Sequence, residues 1–82
     1  MIQEFPVVND TQVVMLRCDL YTGHVIDVDF VLVTRDEQKI WVVYDSLASA
    51  INDAAKVVKD YDYIECTIFD KDRKLIKLIQ PD

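Results

Sequence analysis

The sequence predicts an α+β fold: a five-stranded, mainly antiparallel sheet with one helix on one face, in the order β-β-β-α-β-β. Five segments alternate apolar and polar residues with a period of two, as strands do. Between the third and fourth of these segments, apolar residues recur at helical spacing instead. The chain has 82 residues, enough for one hydrophobic core. We therefore assign residues 1–82 to a single small α+β domain.

The alternating segments define the five predicted strands. They are Gln12–Leu20, Val25–Thr34, Lys39–Tyr44, Tyr63–Phe69 and Lys74–Gln80. The chain is 51% hydrophobic and contains only one glycine and two prolines. This composition is typical of an ordered chain in which strands and helix follow one another closely.

The segment DSLASAINDAAKVVKD predicts a helix from Ser46 to about Lys59. It is rich in alanine and free of glycine and proline, and either Asp45 or Ser46 is placed to cap its first amide groups. Lys56 and Lys59 fall in the last turn, where the helix dipole favours cations. The apolar face of the predicted helix comprises Leu47, Ile51, Ala54 and Val58, with Ala50 and Val57 beside it.

The segment LYTGHVIDVDF holds the only glycine and the only histidine of the chain. We interpret it as a hairpin with the loop Tyr21–Gly23, because glycine adopts a left-handed conformation at the third loop position without strain. This register pairs Cys18 with Ile26 and Arg17 with Asp27. A two-residue loop would place Asp27 opposite Cys18 in the core, since a one-residue slip exchanges the two faces of a strand.

The remaining hairpins are predicted to continue the same two faces, with the second strand pairing with the third. The helix is expected to cover the inner face. That inner face comprises Val14, Leu16, Cys18, Leu20, Ile26, Val28, Phe30, Leu32, Thr34, Ile40, Val42, Tyr44, Ile64, Cys66, Ile68, Ile76 and Leu78.

The outer face is also predicted to be rich in apolar residues, although an exposed sheet face is usually polar. Since one helix covers only one side, we expect this face to meet another surface. The predicted interface is centred on Trp41 and includes Val31, Val33, Val43 and Val13. Tyr63, Phe69, Leu75 and Ile79 are predicted to share this face. The alternative is that the N-terminal segment folds back over it through Ile2, Phe5 and Val7.

The sequence offers few groups for catalysis. No serine or cysteine nucleophile lies near His24 in the predicted register, so the histidine is interpreted as a loop residue. Asp27, Asp29 and Asp45 form a conceivable carboxylate cluster for a hard cation, but no glycine-bearing calcium loop accompanies them. We therefore predict no catalytic residue, no cofactor and no metal. Two widely separated cysteines favour reduced thiols in the core rather than a zinc site.

The net charge of the chain narrows the classes of molecule that it is expected to bind. The net charge is −6, but residues 70–82 carry four basic residues against three aspartates. An acidic domain repels phosphate, so direct nucleic-acid binding is not expected. The chain has no membrane-length apolar run and no signal-peptide pattern, so we expect a cytoplasmic protein.

Three hypotheses of function follow. The first is a non-enzymatic protein-interaction module that forms a homodimer through its outer sheet face and acts by binding another protein. The second is a small acidic inhibitor or nucleic-acid-mimicking decoy of the kind that phage or mobile elements encode. The third is a small ligand binder or enzyme whose pocket forms at a subunit interface.

Overall fold

A computed structural model describes residues 4–82 and shows five antiparallel strands in one sheet with one helix. The predicted fold class and the order β-β-β-α-β-β are confirmed. The elements are β1 Val13–Asp19, β2 Val25–Ile26, β3 Val42–Tyr44, α1 Leu47–Asp60, β4 Ile64–Phe69 and β5 Leu75–Ile79.

Strand β1 is the centre of the sheet. One of its edges pairs with β4 from Val14 to Asp19, along the full length of β4, and β5 follows β4 at the outside. The other edge is shared: β2 pairs with the C-terminal end of β1, and β3 pairs with its N-terminal half. A single strand therefore organises both halves of the chain.

Helix α1 forms as its sequence predicts. The Ser46 side chain caps it by accepting a hydrogen bond of 3.1 Å from the Ser49 N–H, and Lys59 lies in the last turn. Its buried residues are Ala50, Ala54 and Val57, with Leu47, Ile51 and Val58 packed at the margin of the core. The small alanine side chains let the helix lie close to the sheet.

The face of β1 that meets the helix differs from the prediction. Val13 and Met15 are buried in the core beside Ile68, so the assignment of Val14, Leu16 and Cys18 to the inner face is wrong. The cause is the register of the first hairpin: Cys18 pairs with Val25 and not with Ile26. This shift of one residue exchanges the faces of β1 relative to β2.

The hairpin loop has four residues because Asp19 organises it. Its carboxylate accepts hydrogen bonds from the backbone N–H groups of Tyr21 and Thr22, and its backbone N–H donates to the carbonyl of His24. Gly23 has a φ of 76°, the left-handed conformation for which glycine is suited. The glycine was correctly interpreted as a turn residue, but the cap by Asp19 lengthens the loop.

The predicted strand Val25–Thr34 is much shorter in the structure: it ends at Ile26, because the chain turns back at Asp27. The buried Asp27 carboxylate accepts hydrogen bonds from the backbone N–H groups of Asp29 and Val31, both at 2.9 Å. Phe30 takes a φ of 65° within this turn, and the Asp27 N–H donates to the Val31 carbonyl. The predicted pairing of the second strand with the third is therefore wrong, and β3 pairs with β1 instead.

Gln38 holds the return segment against Asp27. Its side-chain amide donates to the Asp27 carboxylate at 2.8 Å and to the carbonyl of Leu32 at 3.1 Å. Its amide oxygen accepts from the backbone N–H groups of Thr34 and Arg35. A buried glutamine with every side-chain group paired fixes one conformation for residues 27–38.

The last hairpin matches the prediction for β4 and departs from it in β5. Ile64, Cys66 and Ile68 face the helix as predicted. In β5, however, Ile79 pairs with Cys66 and packs at the margin of the core, whereas Leu78 pairs with Thr67 on the outer face. A register shift beside Phe69 exchanges the expected parity, so the placement of Leu78 on the inner face is wrong, and Ile76 lies at the shift itself.

Asp27 gives the fold a measurable pH dependence. The amide of Gln38 and the N–H of Val31 hold the pKa of Asp27 below its ordinary value. A depressed folded-state pKa stabilises the fold above about pH 4, and this stabilisation is lost as the pH falls through the folded value. We expect Asp27→Asn to lower the melting temperature at pH 7 and to flatten its decline between about pH 5 and pH 2.

The matched control is Asp29→Asn, which removes a carboxylate from an exposed residue of the same turn. Its melting curve is expected to follow that of the wild type across this pH range. Wild-type stability of Asp27→Asn at pH 7 would contradict the role assigned to the Asp27 turn.

Candidate interaction surface

The outer face of the sheet is partly covered by the N-terminal segment. Phe5 packs edge-on against Trp41 and Phe69, with ring centroids 5.2 and 6.1 Å apart, and Trp41 and Phe69 contact each other. The Arg73 guanidinium lies over both the Phe5 and the Trp41 rings. Phe69 pairs with Val14, which is fully buried although it faces away from the helix. This aromatic cluster therefore closes one end of the outer face.

The structure separates the residues of the predicted interface. Val13 is a core residue on the helix side, so its placement on the outer face is wrong. Val31 and Val33 lie in the segment that turns back after β2, and Val31 is exposed. Val43 is exposed on the outer face, where it pairs with Val14, and Trp41 is half-buried in the aromatic cluster. These five residues do not form one patch on a single sheet face.

The alternative prediction, that the N-terminal segment covers the outer face, holds for one of the three residues named for it. Phe5 makes the contacts described above, whereas the Val7 side chain is fully exposed. Ile2 lies outside the described residues. An ion pair between Lys71 and Asp10 also joins this segment to the turn between β4 and β5.

A different apolar surface lies on β5, and we call Leu75, Ile76 and Leu78 the β5 strip. Their side chains are 62%, 40% and 46% exposed, respectively. Leu75 and Leu78 pair with Phe69 and Thr67, so they continue the outer face from the aromatic cluster toward the open edge of the sheet. Among the strands of residues 4–82, β5 has β4 as its single partner, so its other edge is open. An open edge with exposed aliphatic residues is a template for further strand pairing.

A groove of about 600 Å³ runs beside the same strand on the helix side. Its apolar wall comprises Ala55, Val58 and Ile79, and its polar rim includes Lys59 and Asp62. The groove lies where the C-terminal half of α1 meets the end of β5, because the helix contacts this strand but leaves its outer edge uncovered. Apolar surface therefore borders β5 on both faces.

A buried charge that the sequence analysis missed lies between helix and sheet. Arg17 is buried on the helix-facing side of β1, where its guanidinium lies 3.6 Å from the Asp53 carboxylate and 4.4 Å from the Phe30 ring centroid. It also donates to the carbonyl of Val28, while its Nε has no hydrogen-bond partner among the described residues. Tyr44 donates its hydroxyl to the same Asp53 carboxylate. Burial and the neighbouring carboxylate raise the pKa of Tyr44.

The residues considered for chemistry are dispersed. His24 is exposed at the tip of the first hairpin. The Asp27 carboxylate accepts hydrogen bonds from Gln38 and from its own turn, and Asp45 accepts a hydrogen bond from Gln12. These carboxylates therefore do not form the cation-binding cluster with Asp29 that the sequence analysis considered. Within residues 4–82, no group of three or more histidine, cysteine, aspartate or glutamate side chains is arranged to hold a metal ion. Nor is any helix of this part of the chain long and apolar enough to cross a membrane.

The two cysteines lie on opposite faces of the sheet. Cys66 is buried beneath the helix, and burial raises the pKa of its thiol to about 11. Cys18 pairs with Glu65 on the outer face, so its predicted inward orientation is wrong. Burial and the Glu65 carboxylate raise the pKa of the Cys18 thiol as well.

Comparisons with protein families, curated proteins and solved structures gave no match to this chain. The functional interpretation therefore depends on the surface described above.

Removing the Phe5 ring tests the intramolecular cover. We expect Phe5→Ala to cost about 1–3 kcal/mol of unfolding free energy, less than a fully buried phenylalanine would. Because Trp41 is the only tryptophan, its fluorescence emission should shift to longer wavelength. Val7→Ala, at a fully exposed neighbouring residue, is the control and should change neither quantity. Unchanged emission in Phe5→Ala would show that Phe5 does not cover Trp41 in solution.

Thiol reactivity tests the placement of the cysteines. The thiolate is the reactive species, so a buried thiol with a raised pKa reacts slowly. At pH 8 we expect a chromogenic disulfide reagent to modify Cys66 only as fast as the protein unfolds, and Cys18 faster than Cys66. The variant Cys18→Ser isolates the slow site, and denaturant should equalise the two rates. Rapid labelling of native Cys18→Ser would refute the burial of Cys66.

Proposed function

We propose that the protein is a non-enzymatic interaction module that self-associates through the β5 strip and acts by binding another protein. The observation that carries the proposal is the strip itself, with three exposed aliphatic side chains on an open edge strand. Burying such a surface is favourable at roughly 25 cal/mol per Å² of apolar area. The proposed interface lies on the sheet at β5 and not around Trp41.

The distribution of charge supports association at this strand. Residues 70–82 carry a net charge of +1, whereas residues 1–69 carry twelve acidic against five basic residues. Two copies of an acidic protein repel one another least when they approach through the least acidic part of the chain. The β5 strip lies in that part and contains no carboxylate.

A cytoplasmic setting is part of the proposal. Both cysteines are free thiols, and they face opposite sides of the sheet. Free, unpaired cysteines are typical of proteins from reducing compartments.

Charge insertion at the strip is the direct test. We expect Leu75→Glu to shift the protein from dimer toward monomer, because dimer formation would then desolvate a carboxylate against apolar surface. The mass would be measured by light scattering and sedimentation over the micromolar range.

Val31→Glu is the matched control, since Val31 is 54% exposed and lies in the segment between β2 and β3. Self-association should survive this substitution. A dimer that is lost in Val31→Glu and retained in Leu75→Glu would place the interface in that segment instead. A wild-type monomer throughout the concentration range would refute self-association altogether.

A further inference from the structure

We propose that the β5 strands of two copies pair antiparallel about a twofold axis at Leu78, so that one continuous sheet crosses the dimer. This inference rests on the proposed function and specifies its geometry. It predicts edge-to-edge pairing at β5, with the two outer faces side by side and not stacked on each other.

The open edge of β5 supplies the hydrogen-bonding groups. In a strand, successive backbone groups point to opposite sides, so pairing with β4 leaves about half of them directed outward. Such an edge is available to a second strand. A twofold dimer lets both copies satisfy these groups with the same surface.

Parity and charge select the register. Residues that pair across a ladder share a face, and like charges directly opposite one another are destabilising. An axis at Lys77 would set two lysines opposite each other. An axis at Leu78 sets Leu78 opposite its own copy on the outer face and Lys77 opposite Ile79 on the helix face.

The residues beyond the two ends of β5 also favour this register. Pairing about Leu78 brings Lys74 of one copy close to Asp82 of the other, although the register shift in β5 offsets them slightly. An axis at Ile79 would set Lys77 opposite Pro81, which has no N–H to donate. The Leu78 axis moves Pro81 to the end of the ladder, opposite Leu75, and sets no lysine opposite its own copy.

The groove beside β5 accommodates the second strand on the helix side. Lys77 and Ile79 of the second copy have their side chains on this face, next to the wall of Ala55 and Val58. The aliphatic stem of the incoming Lys77 can cover apolar surface while its ammonium group approaches the Asp62 carboxylate. Apolar contact on both faces of the sheet therefore accompanies the backbone pairing.

Cross-linking tests the axis directly, because a residue on a twofold axis lies opposite its own copy. In a Cys18→Ser background, we expect Leu78→Cys to form an intermolecular disulfide under mild oxidation. Ile76→Cys is the matched control on the same strip. In the proposed register its two copies are separated by about 13 Å along the strand, too far for a disulfide.

The expected result is cross-linking of Leu78→Cys at least about tenfold faster than of Ile76→Cys. Equal rates, or faster reaction of Ile76→Cys, would overturn the Leu78 axis. Light scattering on the wild type separates the two levels of the proposal. A dimer that fails to cross-link at Leu78 rejects only this geometry, whereas a monomer rejects the proposed self-association as well.

Charge reversal gives a second readout. Lys77→Glu should weaken the dimer by placing a carboxylate near Asp62 of the other copy, and adding Asp62→Lys should restore it. Failure of the double variant to recover association, with both proteins folded by circular dichroism, would exclude this contact.

Discussion

The burial of the Arg17 guanidinium is the constraint on which the arrangement of this small domain depends. A cation placed between helix and sheet is costly unless other groups surround it. Here those groups come from separate elements: the Asp53 carboxylate from α1, and the Val28 carbonyl and the Phe30 ring from the segment after β2. Phe30 in turn stacks on Tyr61 at the end of the helix, with centroids 4.7 Å apart. The irregular segment is therefore fixed to the helix through one side chain of the central strand.

The same side chain explains where sequence reasoning succeeded and where it failed. Helix α1 and the inner face of β4 were predicted correctly because their apolar spacing has one interpretation. In β1, apolar residues occupy both faces, so the alternation alone does not distinguish them. The predicted register keeps Asp27 out of the core by pairing it with Arg17, whereas Arg17 itself is buried and pairs with Ile26. A buried arginine cannot be recognised without knowing that Asp53 lies opposite it on the helix.

The sequence predicted an apolar surface on the outer face of the sheet, but it did not predict where on that face the surface lies. An outer face without a covering helix follows from five strands and a single helix, and the apolar residues on both faces of the strands predict that this face is apolar. Its location depended on two features that no period reveals. Phe5 packs onto Trp41 and Phe69, and a register shift in β5 turns Leu78 outward. The signal that was available is the composition of LIKLI, in which four of five residues are apolar and one lysine interrupts them.

The edge of β5 is open because a domain this small has few elements that can cover its sheet. A domain of this size buries a smaller fraction of its surface than a large one, and every covering element must come from a short chain. The helix covers β1 and β4, and the Phe5 cluster closes one end of the other face. Neither layer extends over the outer edge of β5, so the strand is left with exposed apolar side chains, an open backbone edge and an adjacent groove. Proteins usually protect such an edge with charge or proline, and here Lys77 and Pro81 limit pairing to a few residues. An edge that is restricted in this way but not closed favours one defined strand partner over indefinite aggregation.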